Sequence, residues 1–241
     1  MALRILTYNV HGLPWIHCPI ETILLWANLK CKSHIICLQE VFTERLRQRI
    51  FAAAPKYGLQ VFFPNEESSC FGKKYLRFAV PSGLCILVSA EIDVCDTGSF
   101  SCFLASAGVD HLIRKGFFCL EIKYQGNAYQ IINTHLQSDF TELNCCRICY
   151  DSIRDIQESQ LYLQNRSLSF PIVCGDFNKN SFRFFDRMDQ DHKCTFPQTG
   201  EHLDHLLFLP KNHAAVVWKK TTYFSDVALS DHIPVLFEFC I

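Results

Sequence analysis

Polar side chains that could do chemistry stand at the ends of short apolar runs along this chain. They are carboxylates, amides and histidines, the groups that hold hard metal ions and move protons. Taken singly, each has an ordinary explanation, because an Asn after a strand is usually a turn former and a lone His is usually packed. Their recurrence at so many run ends favours function, since a rigid sheet aims side chains from its strand ends. The positions are Asn9, Glu40, His135, Asp176, Asn178, Asp204, Asp231 and His232.

The residue types at these positions predict a metal-assisted reaction. Four of them are carboxylates, which cannot all stay ionised close together unless a cation or a protonated His compensates. Oxygen ligands suit Mg²⁺ or Mn²⁺ better than zinc. The two histidines can exchange protons near neutral pH. Metal, carboxylates and histidines together are typical of phosphate ester hydrolysis.

The elements that must position these residues alternate between short apolar strands and amphipathic helices. This alternation predicts an α/β fold in which sheets lie between helices. No low-complexity linker, charge block or short repeat interrupts the chain, so we expect one domain over residues 1–241. Helices are predicted at 20–32, 42–54 and 143–164, and strands at 3–9, 34–38, 58–63, 83–89, 99–104, 116–124, 128–134, 171–174, 203–208, 214–219 and 233–239.

The composition excludes several classes of protein. With 49% hydrophobic and 20% charged residues in 241, the chain is long and apolar enough to bury a core, which excludes disorder as its main state. Its net charge of -1 is unlike that of a general polyanion-binding module, so any contact with nucleic acid or an anionic membrane must be local. We find no secretory signal and no apolar run near the ~18–20 residues of a membrane span. We therefore expect a cytoplasmic protein without a transmembrane segment.

The fourteen cysteines are scattered and show no paired spacing that would indicate a disulfide framework. We expect reduced, mostly buried thiols. Cys146 and Cys149 form a single CxxC motif, which without a second pair is a weak zinc signal and is more typical of ordinary helix positions.

A set of short motifs gives the sequence a family resemblance. TYNVHGLPW, LQEVF, SGLCILVS, NTHLQ, GDFN, LDHLLF and SDHIPV occur in the order of the endonuclease/exonuclease/phosphatase superfamily, between Arg4 and Phe239. The resemblance implies a four-layer α/β sandwich, in which two packed mixed β-sheets are flanked by helices. It also implies hydrolysis of phosphodiesters or phosphomonoesters with a divalent metal, normally Mg²⁺.

The same resemblance implies a metal side of the site. Glu40 is similar to the principal metal ligand of the family. Asn9 is similar to its metal-site and nucleophile-orienting residue, and Asp231 to the metal-side Asp of the SDH motif.

It also implies a catalytic side. Asp176 and Asn178 resemble the GDxN pair that positions water and binds the scissile phosphate. His232 resembles the catalytic His, with Asp204 orienting its ring. His135 resembles the second His, which stabilises developing charge or protonates the leaving oxygen. Whether Asp176 or His232 takes the proton from water stays open.

The motifs also indicate a branch of the superfamily. The His of NTHLQ argues against the abasic-site endonuclease branch. The opening TYNVHGLP, the run Arg114–Phe117 and the R-x-x-Q pair Arg154 and Gln157 resemble neutral sphingomyelinases. We therefore predict a sphingomyelinase-like phosphodiesterase that acts on a lipid headgroup with peripheral membrane contact. The alternatives are an Mg²⁺-dependent nuclease or DNA-end phosphodiesterase and, in another class, an inactive binding module, against which the full set of ligands and histidines argues.

Two features depart from that branch. His205 follows Asp204 where Tyr or Arg is commoner, and the connection from Lys179 to Leu203 is short for a sphingomyelinase. Within this connection, three phenylalanines around Arg183 either form an aromatic and basic rim for a headgroup or base, or pack a short helix. They are Phe182, Phe184 and Phe185.

Overall fold

The computed structural model describes residues 2–66, 80–139, 147–187 and 193–241. Within these ranges, no helix is long and apolar enough to cross a bilayer.

Two mixed β-sheets pack face to face through an apolar core. In the described part of the chain, the first sheet has the order β12-β13-β1-β2-β4-β3, and the second has the order β10-β11-β9-β8-β7-β5 with β6 also paired to β7. Only two described pairs are parallel, β1 with β2 and β8 with β9. The strands are β1 Leu3–Asn9, β2 Ile35–Gln39, β3 Leu59–Phe62, β4 Cys85–Ser89, β5 Asp93–Val94, β6 Ser99–Cys102, β7 Gly116–Tyr124, β8 Asn127–His135, β9 Pro171–Asp176, β10 Asp186–Arg187, β11 Asp204–Phe208, β12 Val217–Tyr223 and β13 Val235–Cys240.

Helices cover the outer face of each sheet, which confirms the predicted four-layer sandwich. The helices α1 and α2 pack on the first sheet, and α3 packs on the second. Thr43 caps α2, because its Oγ1 accepts a hydrogen bond from the Leu46 N–H at 3.2 Å. The helices are α1 Ile20–Trp26, continued by a π-helical turn at Ala27–Cys31, α2 Glu44–Ala53, continued by a 3₁₀ turn at Ala54–Tyr57, α3 Arg147–Asn165 and α4 Pro210–His213; a further 3₁₀ turn spans Gly108–Leu112.

The central strands are buried on both faces, which explains their nearly continuous apolar sequences. In β1, Ile5 packs into the core between the sheets, whereas Leu6 packs against the helix layer. In β9, Ile172 packs into the core between the sheets, whereas Val173 packs on the side of α3.

The predicted elements and the structure differ most at the periphery. The strand predicted at 214–219 is present but shifted, because β12 begins at Val217 and runs to Tyr223. This strand lies at a sheet edge and is largely exposed, so it lacks the apolar pattern of a buried strand. The two-residue strands β5 and β10 also carry no sequence signal. Residues 143–146 of the predicted third helix lie outside the described residues.

The ten cysteines whose side chains are described are all free thiols, as predicted for these positions. The CxxC motif of Cys146 and Cys149 lies outside the described side chains.

Candidate active site

Strand register brings the predicted site residues to one end of the two sheets. In the first sheet, Asn9 is paired with Gln39, so Glu40 emerges beside Asn9. In the second sheet, His135 and Asp204 are both paired with Asp176, one on each side. Three neighbouring strands therefore deliver three polar side chains to one edge.

Asn9 joins the two sheets at this end. It is 1% exposed, and its Nδ2 donates to Glu40 Oε1 at 3.1 Å and to Asp176 Oδ2 at 3.0 Å. Its Oδ1 accepts a hydrogen bond from the His11 N–H at 3.0 Å. Because the amide is held at both ends, it fixes the spacing between the carboxylates of Glu40 and Asp176.

Glu40 occupies a crowded turn. Its φ of 61° is unusual for a residue with a side chain, so the surrounding contacts must hold it there. A Cβ at Gly12 would lie 2.4 Å from Glu40 O, and one at Gly83 would lie 3.1 Å from Glu40 Cα. The two glycines therefore let neighbouring backbone close around this turn.

Asp176 lies at the centre of the site. Its Oδ2 lies 3.6 Å from His135 Nε2 and 3.6 Å from His232 Nε2. Its Oδ1 accepts a hydrogen bond from the Asn178 N–H at 3.0 Å. Burial is the main cause that raises the pKa of Asp176 to about 6, and the nearby His232 opposes this rise.

His232 is paired with Asp204. Its Nδ1 lies 2.9 Å from Asp204 Oδ2, so the ring donates to the carboxylate. Asp204 is itself fixed by a hydrogen bond from its N–H to Thr195 Oγ1 at 3.2 Å. Burial lowers the pKa of His232, but the carboxylates of Asp204 and Asp176 outweigh it and raise the pKa to about 10. The ring is thus cationic at neutral pH.

His135 has the opposite environment. It is buried, and its Nδ1 has no hydrogen-bond partner within the described residues. Burial, then the charges of Lys115 and His232, lower the pKa of His135 well below its usual range. The Lys115 ammonium is held close by, donating to Leu136 O at 2.6 Å and pairing with Asp110 at 2.8 Å. The ring is therefore neutral.

The last two predicted residues flank this cluster. Asp231 Oδ2 lies 3.2 Å from His11 Nδ1, so Asp231 reaches Asn9 through His11. Asn178 adopts φ 50°, and its Nδ2 donates to Leu136 O at 3.2 Å. One amide hydrogen of Asn178 remains available for a ligand.

The donor set suits a metal ion. Ligand atoms of Asp176, Asp204 and His232 lie within 4.8 Å of one another, a spacing that suits a metal ion only when the His232 ring is unprotonated. Burial is the main cause that raises the pKa of both Glu40 and Asp176, so the ionised forms of these two carboxylates are disfavoured without a metal. A divalent cation would stabilise the ionised forms, and carboxylate and amide oxygens are suitable ligands for a hard ion.

Several residues support the site through contacts that the sequence does not indicate. His11 is part of TYNVHGLPW, but its pairing with Asp231 joins positions 220 apart in the chain and has no local signal. Gln39 and Asn133 join the inner faces of the two sheets through a 2.8 Å hydrogen bond. Gln157, of the R-x-x-Q pair, accepts from the Gln137 N–H at 2.8 Å and donates to Ala105 O at 2.8 Å.

The features that depart from the sphingomyelinase pattern are internal. His205 is fully buried, and its Nε2 donates to Lys179 O at 2.9 Å and His202 O at 3.0 Å. Phe182 packs edge-on against Phe177, and Phe184 stacks on Tyr162 of α3. Phe185 is buried, as the packing interpretation predicts, whereas Phe182 and Phe184 are half-buried with the charged groups of Lys179 and Arg183 over their rings. The segment is an irregular loop and not a short helix.

A cleft of about 300 Å³ opens beside Asn178. Its walls carry four carboxylates and two cations, so its net charge is negative. These residues are Asp139, Asp151, Asp155, Glu201, Arg154 and Lys179.

Comparison with known proteins places this geometry in context. No protein-family model matches the chain. Sphingomyelin phosphodiesterase 5 of Danio rerio is 26% identical over 179 residues, which cover 66% of this chain and 30% of that protein. The chain thus spans less than a third of the length of this curated relative.

Solved structures match the whole fold. Sphingomyelinase C from Streptomyces griseocarneus has a TM-score of 0.74 at 17% identity, covering 100% of both chains. A humanized Danio rerio TDP2 has a TM-score of 0.75 at 14% identity, covering 100% of this chain and 99% of that one. A Staphylococcus aureus beta toxin variant solved with bound magnesium ions has a TM-score of 0.69 at 17% identity, covering 100% of both. These likenesses establish the fold: the chain has the two-sheet α/β sandwich of these solved structures, which is the fold that its motifs predict.

Proposed function

We propose that this chain is a divalent-metal-dependent, sphingomyelinase-like phosphodiesterase, in which water attacks phosphorus in line and releases a phosphorylated headgroup. The observation that carries the proposal is the position of Asp176, which has a neutral and a cationic histidine each 3.6 Å from one oxygen. Such a set supplies a proton acceptor, a proton donor and a neutral hydrogen-bond donor at one point.

The charge states favour Asp176 as the general base. With a pKa of about 10, His232 already carries its proton at neutral pH and cannot accept another. Asp176, with a pKa of about 6, is largely ionised there and can take the proton from water. As the P–O bond breaks, His232 Nε2 gives its proton to the leaving oxygen. Transfer of a proton from Asp176 to His232 across 3.6 Å then restores both groups.

The remaining residues bind and orient the substrate. Neutral His135 donates a hydrogen bond to a non-bridging oxygen of the phosphate, and the free amide hydrogen of Asn178 binds the same group. Glu40, Asn9 and Asp231 would hold Mg²⁺, or Mn²⁺ in its place. When bound, the ion would neutralise charge on the phosphoryl oxygens.

A lipid headgroup fits the surroundings better than a long polyanion. The excess of carboxylates in the cleft beside Asn178 repels a nucleic acid backbone, which nucleases usually bind through several cationic contacts. The apolar side chains of Leu104 and Leu112 are 83% and 62% exposed and could contact a membrane surface. Their loop is tied to the segment after His135 by a 2.9 Å bond from the Ala107 N–H to Gln137.

A nuclease is the second candidate, because the fold of Danio rerio TDP2, which has been solved with a single-strand DNA product, matches this chain with a TM-score of 0.73.

We further propose that residues 1–241 form one domain and that the protein works in the cytoplasm. The free thiols at all ten described cysteines support a reducing compartment.

The test is hydrolysis of a substrate panel by the purified protein with Mg²⁺, with and without EDTA. We expect phosphocholine release from sphingomyelin micelles, which EDTA abolishes. Glu40→Gln should lose most of the response to Mg²⁺ and stay folded, whereas Glu44→Gln, at an exposed helix position, should behave as wild type. Full activity of Glu40→Gln in EDTA would contradict the metal assignment.

The same panel separates the alternatives. Salt-sensitive cleavage of DNA or RNA without phosphocholine release would move the protein to the nuclease branch. A folded protein that hydrolyses none of the substrates would instead support an inactive binding module.

A further inference from the structure

The buried carboxylate of Glu158 has no place in the reaction described above, although its contacts lead directly to the site. Glu158 lies on α3, is 1% exposed and is one turn from Arg154 and next to Gln157. A carboxylate buried this deeply must be paired or hydrogen-bonded to be tolerated. Its partners therefore show which segment it organises.

Among the described residues, its hydrogen-bond partners lie in the loop that follows Asn178. Glu158 Oε1 accepts hydrogen bonds from the backbone N–H groups of Arg183 at 2.7 Å and Phe184 at 2.9 Å. Glu158 Oε2 accepts one from the Lys179 ammonium at 2.8 Å. One side chain of α3 thus binds both ends of the loop 179–184.

This loop determines where Asn178 points. Asn178 is held in the left-handed region at φ 50°, where a chain needs neighbouring contacts to stay. On its N-terminal side, Asp176 Oδ1 accepts from its N–H. On its C-terminal side, Lys179 is fixed by Glu158 and, through its carbonyl, by His205 next to Asp204.

We propose that Glu158 is a positioning residue, which holds the loop 179–184 so that the Asn178 amide faces the scissile phosphate. The inference rests on the phosphodiesterase function proposed above. Glu158 does not touch the reacting atoms. Its removal should therefore lower kcat through misplacement of Asn178, without altering the response to Mg²⁺.

The chain offers a matched control for this test. Asp155 lies on the same helix and pairs with the same Lys179 ammonium at 2.6 Å, but its side chain is 71% exposed. An exposed ion pair contributes little because water screens it. Asp155→Asn therefore removes a charge next to Lys179 without releasing the loop.

The experiment measures kcat, KM and amide hydrogen exchange of residues 178–185 in wild type, Glu158→Gln and Asp155→Asn. We expect Glu158→Gln to lower kcat by about 10- to 100-fold with KM within about twofold, and to lose protection in this segment. Asp155→Asn should keep the wild-type protection of this segment. If Glu158→Gln does not fold, Lys179→Met, which removes the ammonium from the same contact, should lower kcat in the same way.

Each other outcome contradicts a specific statement. An active wild type with unchanged kcat in Glu158→Gln would overturn the positioning role alone. Loss of protection throughout the protein, with activity falling in parallel, would show that Glu158 only stabilises the fold. A wild type without turnover would overturn the proposed function itself, and the positioning role with it.

Discussion

His135 and His232 approach the same oxygen of Asp176 at the same distance, 3.6 Å, and yet His135 is neutral whereas His232 is cationic. Both are buried, and burial alone would lower the pKa of each ring. The difference comes from the far nitrogen and its surroundings: His232 Nδ1 binds Asp204 at 2.9 Å, whereas His135 Nδ1 has no partner in the described residues and lies near Lys115. The comparison shows that the surroundings of Nδ1, more than the burial of the ring, determine which histidine is the proton donor and which is the neutral hydrogen-bond donor.

Breaking the pair formed by Asp204 and His232 should have the largest effect. Asp204→Asn and His232→Ala should each lower kcat by about 10²–10⁴-fold, because His232→Ala removes the ring that protonates the leaving oxygen and Asp204→Asn removes the carboxylate that keeps this ring protonated and oriented. The double variant should cost little more than the worse single variant. Steady-state kinetics with Asp226→Asn as a control at an exposed position checks this, and losses that multiply would show that the two residues act independently.

Removing the neutral histidine should have a smaller effect. His135→Ala should lower kcat by about 10²-fold, the usual cost of losing one hydrogen-bond donor to a developing charge. His135→Gln, which keeps an N–H group, should recover part of the loss. If His135→Gln recovered nothing, the ring would act through its proton and not as a neutral donor.

His205, a third buried histidine, shows the effect of burial on a ring that lies outside the reacting groups. Burial is the main cause that lowers the pKa of His205 well below its usual range, so only the unfolded chain binds a proton there as pH falls below about 6.5. His205 therefore does not lower the free energy of unfolding above that pH. Below it, the free energy of unfolding falls by about 1.4 kcal/mol for each pH unit. Thermal unfolding in EDTA at about pH 7 and pH 5 should show a smaller loss for His205→Gln than for wild type.

The exposed His17 provides the control for that measurement. His17→Gln should lose the same stability as wild type between the two pH values. An equal loss in His205→Gln and wild type would mean that His205 takes up a proton inside the folded protein.

The sequence predicts the layers well, and it also indicates residues that the structure brings together, because both follow local patterns. Apolar runs such as IICLQ mark strands buried on both faces, and polar residues at their ends, such as Asp176, mark the site. Edge strand β12 is misplaced because exposure removes the pattern on which the prediction depends. The contact between His11 and Asp231 has no such signal because it joins distant parts of the chain.

The charge of each histidine could not be predicted for the same reason. His135 and His232 each follow or precede a short apolar run, and nothing in those runs distinguishes their partners. The register of the second sheet places the Asp204 carboxylate, and the contact of Lys115 with Leu136 O places the Lys115 ammonium. Neither placement can be deduced from the residues next to the histidines.

The central claim is that one carboxylate, Asp176, lies between a cationic His232 and a neutral His135. Nitrogen-15 NMR of the imidazole rings in the metal-free protein, titrated from about pH 5.5 to pH 10.5, tests it most directly. The account predicts that His232 keeps protons on both nitrogens at about pH 8 and titrates with a pKa of about 10, while the pKa of His135 lies well below its usual range and its ring is neutral at about pH 8. Two rings that titrate together near a pKa of about 6.5 would contradict the account.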